Sequence, residues 1–589
     1  MKKPPLVKSD SLDEVKSHPA IRFEHVPTNP GKMFEFKSLR SQILGDVVEK
    51  TAGEFKGAQL DLLLGEALYA ERQRLKREKK SAFTKKRSQG DRALWNTVQA
   101  GLLQGPALAD RNELLKKVVS HYAEEIGGHF NPKIYEFAIQ AVPWGFSWLL
   151  NAASVKRFLP WGMTESLESR LHILGEVHHL QKLAQKGTIL LVPTHQSNID
   201  SVLIGYVISL MSLPPFAYGA GLNLFSNPAL SFFMSNLGAY TVDRQKRNEV
   251  YKTTLKNYST RILREGIHSI FFPGGGRSRS GAIENHLKLG LMGTALEAQI
   301  QKTLAGDPKP NVYVVPMVMS YHFVVEASSL VEDYLAEAGK HRFIITDDES
   351  WQPSKVAHFF WKLFSSQSGI TVRIGKPMDV FGNFVDEEGR SIGPNGTVVD
   401  PKRWLTTNGK IEALAQRDRE YTRELGVRLI DRFHKENTVL TSHLVAFAFF
   451  EALRRKYPEL DLYRFLRLSL AQRTMSIADF EADALHFHRA LVKLEKDGAL
   501  HLCDELRRLP AEKWIDDGVR QLGLLHEHPV VKVRDGVIWT EDMNLLYYYR
   551  NRLCGYGLSI RSLGGVDGGS SLDMLRGVPG EYDRKGFLA

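Results

Sequence analysis

Hydrophobic and polar positions follow two different periods along this chain. Up to about residue 160, and again beyond about 410, apolar residues recur at helical spacing. Between those limits short apolar runs at 188–192, 269–272, 312–315 and 371–374 are bounded by Gly, Pro or charged residues. Helical patterns such as 249–265 and 288–303 lie between the runs. Strands alternating with helices predict an α/β unit with a mostly parallel sheet. The expected organisation is a basic, helical region over 1–160, the α/β domain over 161–390, a helical region over 391–560 and a Gly-rich tail over 561–589. No solenoid repeat is visible.

Two uncharged stretches bear on membranes. The nineteen residues 137–155 lie between Glu136 and Lys156-Arg157, and their length meets the ~18-residue threshold for a spanning helix. Gln140, Pro143, Gly145 and Asn151 interrupt them, and Trp144 and Trp148 sit near the centre. Four residues apart, the two indoles share a face suited to a headgroup boundary. The expectation is a helix that lies on a membrane or packs in a core. The 42 residues 201–242 are also uncharged, but Pro214-Pro215, Asn223 and Asn227-Pro228 break them up. No transmembrane helix emerges.

Composition narrows the class. The 589 residues are 43% hydrophobic and 25% charged, as in globular proteins. Two cysteines, Cys503 and Cys554, exclude a disulfide scaffold and a cysteine-rich metal site, and fit a reducing compartment. The opening MKKPPLVKSDSLDE lacks the apolar segment of a secretory signal. Lys and Arg number 78 against 67 Asp and Glu, a net charge of +11. That excess calls for an anionic partner, either nucleic acid or a membrane surface. The run 71–92 holds ten Lys/Arg and three Asp/Glu. Only Phe83 interleaves with these charges, which disfavours nucleic acid.

Chemistry concentrates after two of the apolar runs, at the edge where α/β sheets place their sites. In Pro193-Thr-His-Gln-Ser-Asn-Ile-Asp200, a histidine in the turn can meet a carboxylate at the start of the following helix. Asp200 on Nδ1 would leave Nε2 of His195 to accept a proton. The same histidine could instead serve its own turn. In Phe271-Phe-Pro-Gly-Gly-Gly-Arg-Ser-Arg-Ser-Gly281, Gly274, Gly275 and Gly276 would let backbone N–H groups line an anion site, with Arg277 and Arg279 adding charged forks. Ala282 stands where a Walker A lysine would be, so nucleotide hydrolysis is unsupported. The pairs His178-His179, His486/His488 and His526/His528 lack metal-site spacing, and no metal is expected. Leu545-Leu-Tyr-Tyr-Tyr549 reads as a packing face.

Four ordered blocks over roughly 115–450 resemble the glycerol-3-phosphate acyltransferases and their dihydroxyacetone-phosphate relatives. His195-Gln-Ser-Asn-Ile-Asp200 is similar to the family's H-x4-D box. Gly238-Ala-Tyr-Thr-Val-Asp-Arg244 resembles the second block, with its phosphate-binding arginine. Residues 272–281 with Lys288-Leu-Gly290 resemble the third. Val315-Pro316-Met-Val-Met-Ser-Tyr321, followed by Glu326, resembles the fourth.

The resemblance implies an H-x4-D acyltransferase fold in which His195, oriented by Asp200, deprotonates a hydroxyl that attacks an acyl thioester. Arg244, Arg277, Ser278, Arg279 and Lys288 would hold the acceptor phosphate, and Pro316 and Tyr321 would line the acyl or acceptor pocket. The implied partners are an acyl-CoA or acyl carrier protein donor, glycerol 3-phosphate and an anionic membrane on its cytoplasmic side, without a cofactor. One departure stands out: the third block of the family has a glutamate where this chain has Gly274. Dihydroxyacetone phosphate and lysophosphatidate therefore remain alternative acceptors, and a lipid-binding homologue without turnover remains an alternative function.

Overall fold

The structure is a computed structural model that describes residues 31–77, 82–104, 108–140, 170–222, 228–338 and 368–558. Most of the segment 137–155 and the whole tail beyond 558 therefore lie outside the described residues. Among the described residues no helix is long and apolar enough to cross a membrane.

Four helices open the chain: α1 (Phe36–Glu54), α2 (Leu60–Arg77), α3 (Ala82–Leu103) and α4 (Leu108–Ile126). A seven-stranded sheet follows, of β1 (Leu171–Gly175), β2 (Thr188–Pro193), β3 (Ala217–Gly221), β4 (Ala239–Val242), β5 (Ser269–Ile270), β6 (Val312–Tyr321) and β7 (Ile370–Ile374). Its order is β1-β7-β6-β2-β5-β3-β4. The strands β2 to β6 run parallel. β7 is antiparallel to β6, and β1 follows β7.

The period of two along β6 explains how the sheet is sandwiched. Tyr313, Val315, Met317, Met319 and Tyr321 face one core. Val312, Val314 and Val318 face the other. The first face is covered by α5 (Val177–Lys186), α6 (Asp200–Leu210) and, from further along, α10 (Ala327–Ala338) and α12 (Thr441–Lys456). The second takes α8 (Glu249–Arg264), α9 (Leu289–Leu304) and α11 (Ala415–Lys435). Between them in sequence, α7 (Pro228–Asn236) precedes β4.

The uncharged stretch 201–242 thus runs through α6, β3, α7 and β4. Its lack of charge reflects burial: seven of the eleven residues of α6 are buried. Helix α12 is buried almost all round, with thirteen residues out of water. Around it pack α13 (Ile477–Lys496), α14 (Ala511–Leu522) and α15 (Met543–Arg550), whose apolar side chains continue the first core without a break.

The N-terminal helices meet the sheet through a buried charge network. Part of the basic run 71–92 is internal: Glu71, Arg74 and Asp91 are buried. The side chains of 78–87 lie outside the described residues, and with them most of the lysines expected to face lipid. Arg74 pairs with Glu71 at 2.8 Å and also with Asp91. Lys246, from the turn after β4, lies 3.4 Å from Asp91 and pairs with Glu125. Asp91, His121 and Glu125 could group around a metal ion, but the Lys246 ammonium already supplies the cation there. Asn248 caps α8 by accepting from the Tyr251 amide at 2.9 Å, and donates to Glu71 and to the Tyr122 hydroxyl. The turn 243–248, which carries Arg244, is therefore clamped by α2, α3 and α4.

Burial alone would raise the Asp91 pKa, but His121, Lys246 and Arg74 hold it well below the usual carboxylate range. A depressed carboxylate contributes stability that is complete above its unfolded pKa of about 4 and is lost as pH falls below it. Asp91→Ala, leaving Arg74 and Lys246 under-compensated, is expected to cost about 3–5 kcal/mol. Urea midpoints measured from pH 7 down to 3 check this, and Asp91→Asn should flatten the acid limb of that curve.

Candidate functional site

The chain leaves β2 at Pro193 and enters α6 at Asp200 through a tight loop. Asp200 is fully buried, and four donors converge on its carboxylate. Oδ2 accepts from Nδ1 of His195 at 2.9 Å, the Gln196 amide at 2.7 Å and the Ser197 amide at 3.0 Å. Oδ1 accepts from the Tyr321 hydroxyl at 2.5 Å. Burial, then the Asp200 and Glu326 carboxylates, push the Tyr321 pKa well above 10, so its hydroxyl stays a donor. Nδ1 of His195 carries the proton in this arrangement, which makes Nε2 the acceptor nitrogen. The imidazole side chain is 13% exposed and stacks on Phe272 with centroids 4.1 Å apart.

A second buried carboxylate holds the middle of the loop. Glu326 accepts from the Ser197 hydroxyl at 2.8 Å and from the Asn198 amide at 3.0 Å, and Arg277 lies 3.6 Å away. A third, Glu284, accepts from the His195 amide at 2.7 Å. Desolvation pushes its pKa up to about 7. The Ser278 amide donates to the His195 carbonyl at 2.7 Å, tying the glycine loop to the histidine.

The three glycines do something other than form a simple nest. The Gly275 amide is consumed within the turn, donating to the Phe272 carbonyl at 3.1 Å. What the glycines provide is room. A Cβ at Gly274 would lie 3.1 Å from Cγ of Glu284. One at Gly275 would lie 2.4–2.9 Å from Cδ, Cε and Nζ of Lys288, and one at Gly276 would lie 3.7 Å from the Arg244 guanidinium. Consecutive glycines thus admit a carboxylate, an ammonium and a guanidinium from three other places in the chain. Desolvation and the like charge of Arg277 lower the Arg244 pKa. Desolvation, then Arg244, Arg247 and Arg279, lower that of Lys288. Such a cation cluster favours an anion.

Other residues singled out by the sequence are placed differently. The Ser278 hydroxyl donates to the Ala282 carbonyl at 2.6 Å and fastens the loop. Arg279 reaches outward to Glu337 on α10. Pro316 and Tyr321 do not share a pocket. Their positions on β6 have opposite parity, which turns them to opposite faces: Tyr321 is held on Asp200, and Cγ of Pro316 lies against Gly375.

The C-terminal region supplies partners that the sequence did not reveal. Arg552, 2% exposed, donates to the Met319 carbonyl and to Asn437, both at 2.8 Å. With its amide oxygen turned inward, Gln196 also accepts from Arg552. The Tyr549 hydroxyl accepts from the Val324 amide at 3.0 Å, and Asn551 donates to the Ser280 carbonyl at 2.9 Å. These contacts join residues more than a hundred positions apart, and no local motif announces them.

Residues 175–320 match the model of the acyltransferase family. The α/β region is similar to that family. A glycerol-3-phosphate acyltransferase from Hamiltonella defensa is 31% identical over 163 residues, which cover 27% of this chain and 19% of that protein. One from Pasteurella multocida is 32% identical over 179 residues, covering 30% and 21%. One from Actinobacillus pleuropneumoniae is 28% identical over 241 residues, covering 39% and 28%. The matches thus span between a fifth and somewhat over a quarter of these relatives' length. The crystal structure of the 1-acyl-sn-glycerophosphate (LPA) acyltransferase PlsC from Thermotoga maritima aligns over 57% of this chain and 87% of its own, at 16% identity and a TM-score of 0.23.

The glycine geometry of this loop is directly testable. Gly275 has φ +69°, a conformation that costs an L-residue about 1–2 kcal/mol. Gly275→Ala should lower the thermal midpoint and displace Lys288. Gly276→Ala, with only an ordinary contact at 3.7 Å, should leave the midpoint nearly unchanged. Parallel melting curves of the two variants check the contrast.

Proposed function

We propose that the protein is a glycerol-3-phosphate O-acyltransferase that moves a fatty acyl group from acyl-CoA or acyl carrier protein to the sn-1 hydroxyl. One observation carries the reading: the His195–Asp200 pair is tied to a loop beside clustered cations, and among the described residues no carboxylate pairs with Lys288 or Arg244. A phosphorylated polyol fits both halves, with its phosphate on the cations and its hydroxyl at Nε2.

His195 takes the hydroxyl proton as the oxygen attacks the thioester carbonyl. The tetrahedral intermediate collapses with cleavage of the C–S bond, and the leaving thiolate receives that proton from the imidazolium. Asp200 keeps the tautomer and stabilises the charged ring. Arg244, Arg277 and Lys288 hold the phosphate, which fixes the distance between hydroxyl and base. Ser278 and Arg279 contribute through the loop's shape and its outer edge. An acyl substrate and the net charge of +11 favour a peripheral position on the cytoplasmic face of an anionic membrane. Only the family-level chemistry is shared between this acceptor and dihydroxyacetone phosphate or lysophosphatidate, and the glycerol-3-phosphate names of the relatives favour the first.

Purified protein given a long-chain acyl thioester should release thiol faster with glycerol 3-phosphate than without it, and His195→Ala should lower that rate by about 10²–10⁴. A wild-type rate unaffected by any of the three acceptors would exclude the reading. Inorganic phosphate at tens of millimolar should raise the thermal midpoint of the wild type, and Lys288→Ala should remove most of that rise.

A further inference from the structure

We propose that Glu284 is an acceptor-binding residue, supplying from outside the glycine loop a carboxylate that meets the acceptor's hydroxyl groups beside His195. The inference rests on the acyltransferase reading above and names a further residue of that site.

Three observations converge. One oxygen of Glu284, Oε1, is fixed by the His195 amide at 2.7 Å, so the carboxylate is anchored to the residue whose ring faces the substrate. The other, Oε2, is buried and has no hydrogen-bond partner among the described residues. Leaving a buried carboxylate oxygen unpaired costs about 1–3 kcal/mol or more. A fold retains such an oxygen where a ligand is to supply the donor. Burial pushes the Glu284 pKa up to about 7 against the opposing pull of backbone amides and the Arg552 charge.

The third observation is the fit between Glu284 and Gly274. A Cβ at 274 would stand 3.1 Å from Cγ of Glu284 and 3.7 Å from Oε1. The Glu284 side chain thus borders the space into which a side chain at 274 would project, and a Cβ there would press on it. The next two positions follow the same plan, Gly275 beneath Lys288 and Gly276 beside Arg244. Carboxylate, ammonium and guanidinium stand in sequence along three residues of loop. A ligand with its phosphate on Lys288 and Arg244 presents its polyol end to Glu284 and His195. The absence of glutamate at 274 is then a relocation of the carboxylate, and the site keeps its full set of charges.

The test compares glycerol 3-phosphate with inorganic phosphate by titration calorimetry on the full chain. Glu284→Ala should weaken glycerol 3-phosphate about tenfold, one lost hydrogen bond to a charged group, while inorganic phosphate changes less than twofold. Glu284→Gln keeps an oxygen for the His195 amide and guards against a folding defect. It should weaken glycerol 3-phosphate at least threefold, with an unchanged melting curve. Gly274→Glu combined with Glu284→Ala returns a carboxylate to the same space and should recover most of the affinity. In turnover, the acceptor KM should follow this order while the thioester KM does not.

Equal weakening of both ligands, unaltered glycerol 3-phosphate affinity in Glu284→Ala and Glu284→Gln, or failure of the double variant to recover would each overturn the proposal. So would a wild type that does not bind glycerol 3-phosphate. A wild type that binds it with this Glu284 dependence but transfers no acyl group would instead overturn the function proposed above.

Discussion

Asp200 is a buried carboxylate with no lysine or arginine in ion-pair contact among the described residues, and the site is built around satisfying it. Removing a carboxylate from water without donors would cost many kcal/mol. Here four donors meet it, two of them backbone amides of the loop that it terminates. The loop therefore closes on one conformation, and the imidazole has one orientation. Because the fourth donor is Tyr321 at the end of β6, the same carboxylate also ties that loop to the neighbouring strand. The register that pairs Val192 with Pro316 and Pro193 with Met317 delivers both partners at the required height. Glu326 repeats the device for Ser197 and Asn198. Two carboxylates, each satisfied by short-range donors, give a loop of irregular backbone the precision of a regular element.

This explains which parts of the site the sequence made legible. The His195–Asp200 contact spans five residues, so a turn followed by a helix start is enough to anticipate it. The strands at 188, 312 and 371 show as dense β-branched runs. β3, with the sequence AYGAG, has two glycines in five residues and no such run, and its place in the sheet comes from parallel pairing with β4 and β5. The glycine loop was legible only in part. Three successive glycines suggest backbone amides facing an anion, because that much is local. The side chains for which they make room come from residues 244, 284 and 288, and no spacing rule connects those positions to 274–276. Arg552 is further still from any local signal.

The C-terminal helices belong to the site as much as to the core. Helix α12 sets His443 against the Tyr321 carbonyl at 3.0 Å. Gly281, with φ +80°, lets the glycine-loop exit approach the Tyr548 carbonyl so closely that a Cβ would lie 2.2 Å from it. Together with Asn551 on the Ser280 carbonyl and Arg552 on Gln196 and Met319, these contacts brace the loops that carry His195 and Arg277 from behind. The aromatic run at 547–549 is thus a packing face from which one hydroxyl also secures backbone: Tyr549 receives the Val324 amide and contacts His526 at 2.7 Å.

The distribution of charge separates structural from functional cations. Arg74 and Lys246 are buried, and each has two carboxylates against it. Arg111 has Asp61, and Lys302 has Asp307 at 3.2 Å. At these four positions a carboxylate compensates the buried cation that holds elements together. At Arg244 and Lys288 the neighbouring charges are cations, which add to desolvation in lowering both pKa values. Like charges brought together cost energy at every pH where both are ionised, so the arrangement persists only because the rest of the structure overdetermines it. The network of Glu71, Asp91 and Asn248 does so for the Arg244 turn, and the Lys288 amide, donating to the Pro273 carbonyl at 2.7 Å, does so for the lysine. The N-terminal bundle, remote from the chemistry in sequence, thereby helps hold in place a repulsion that an incoming phosphate would relieve.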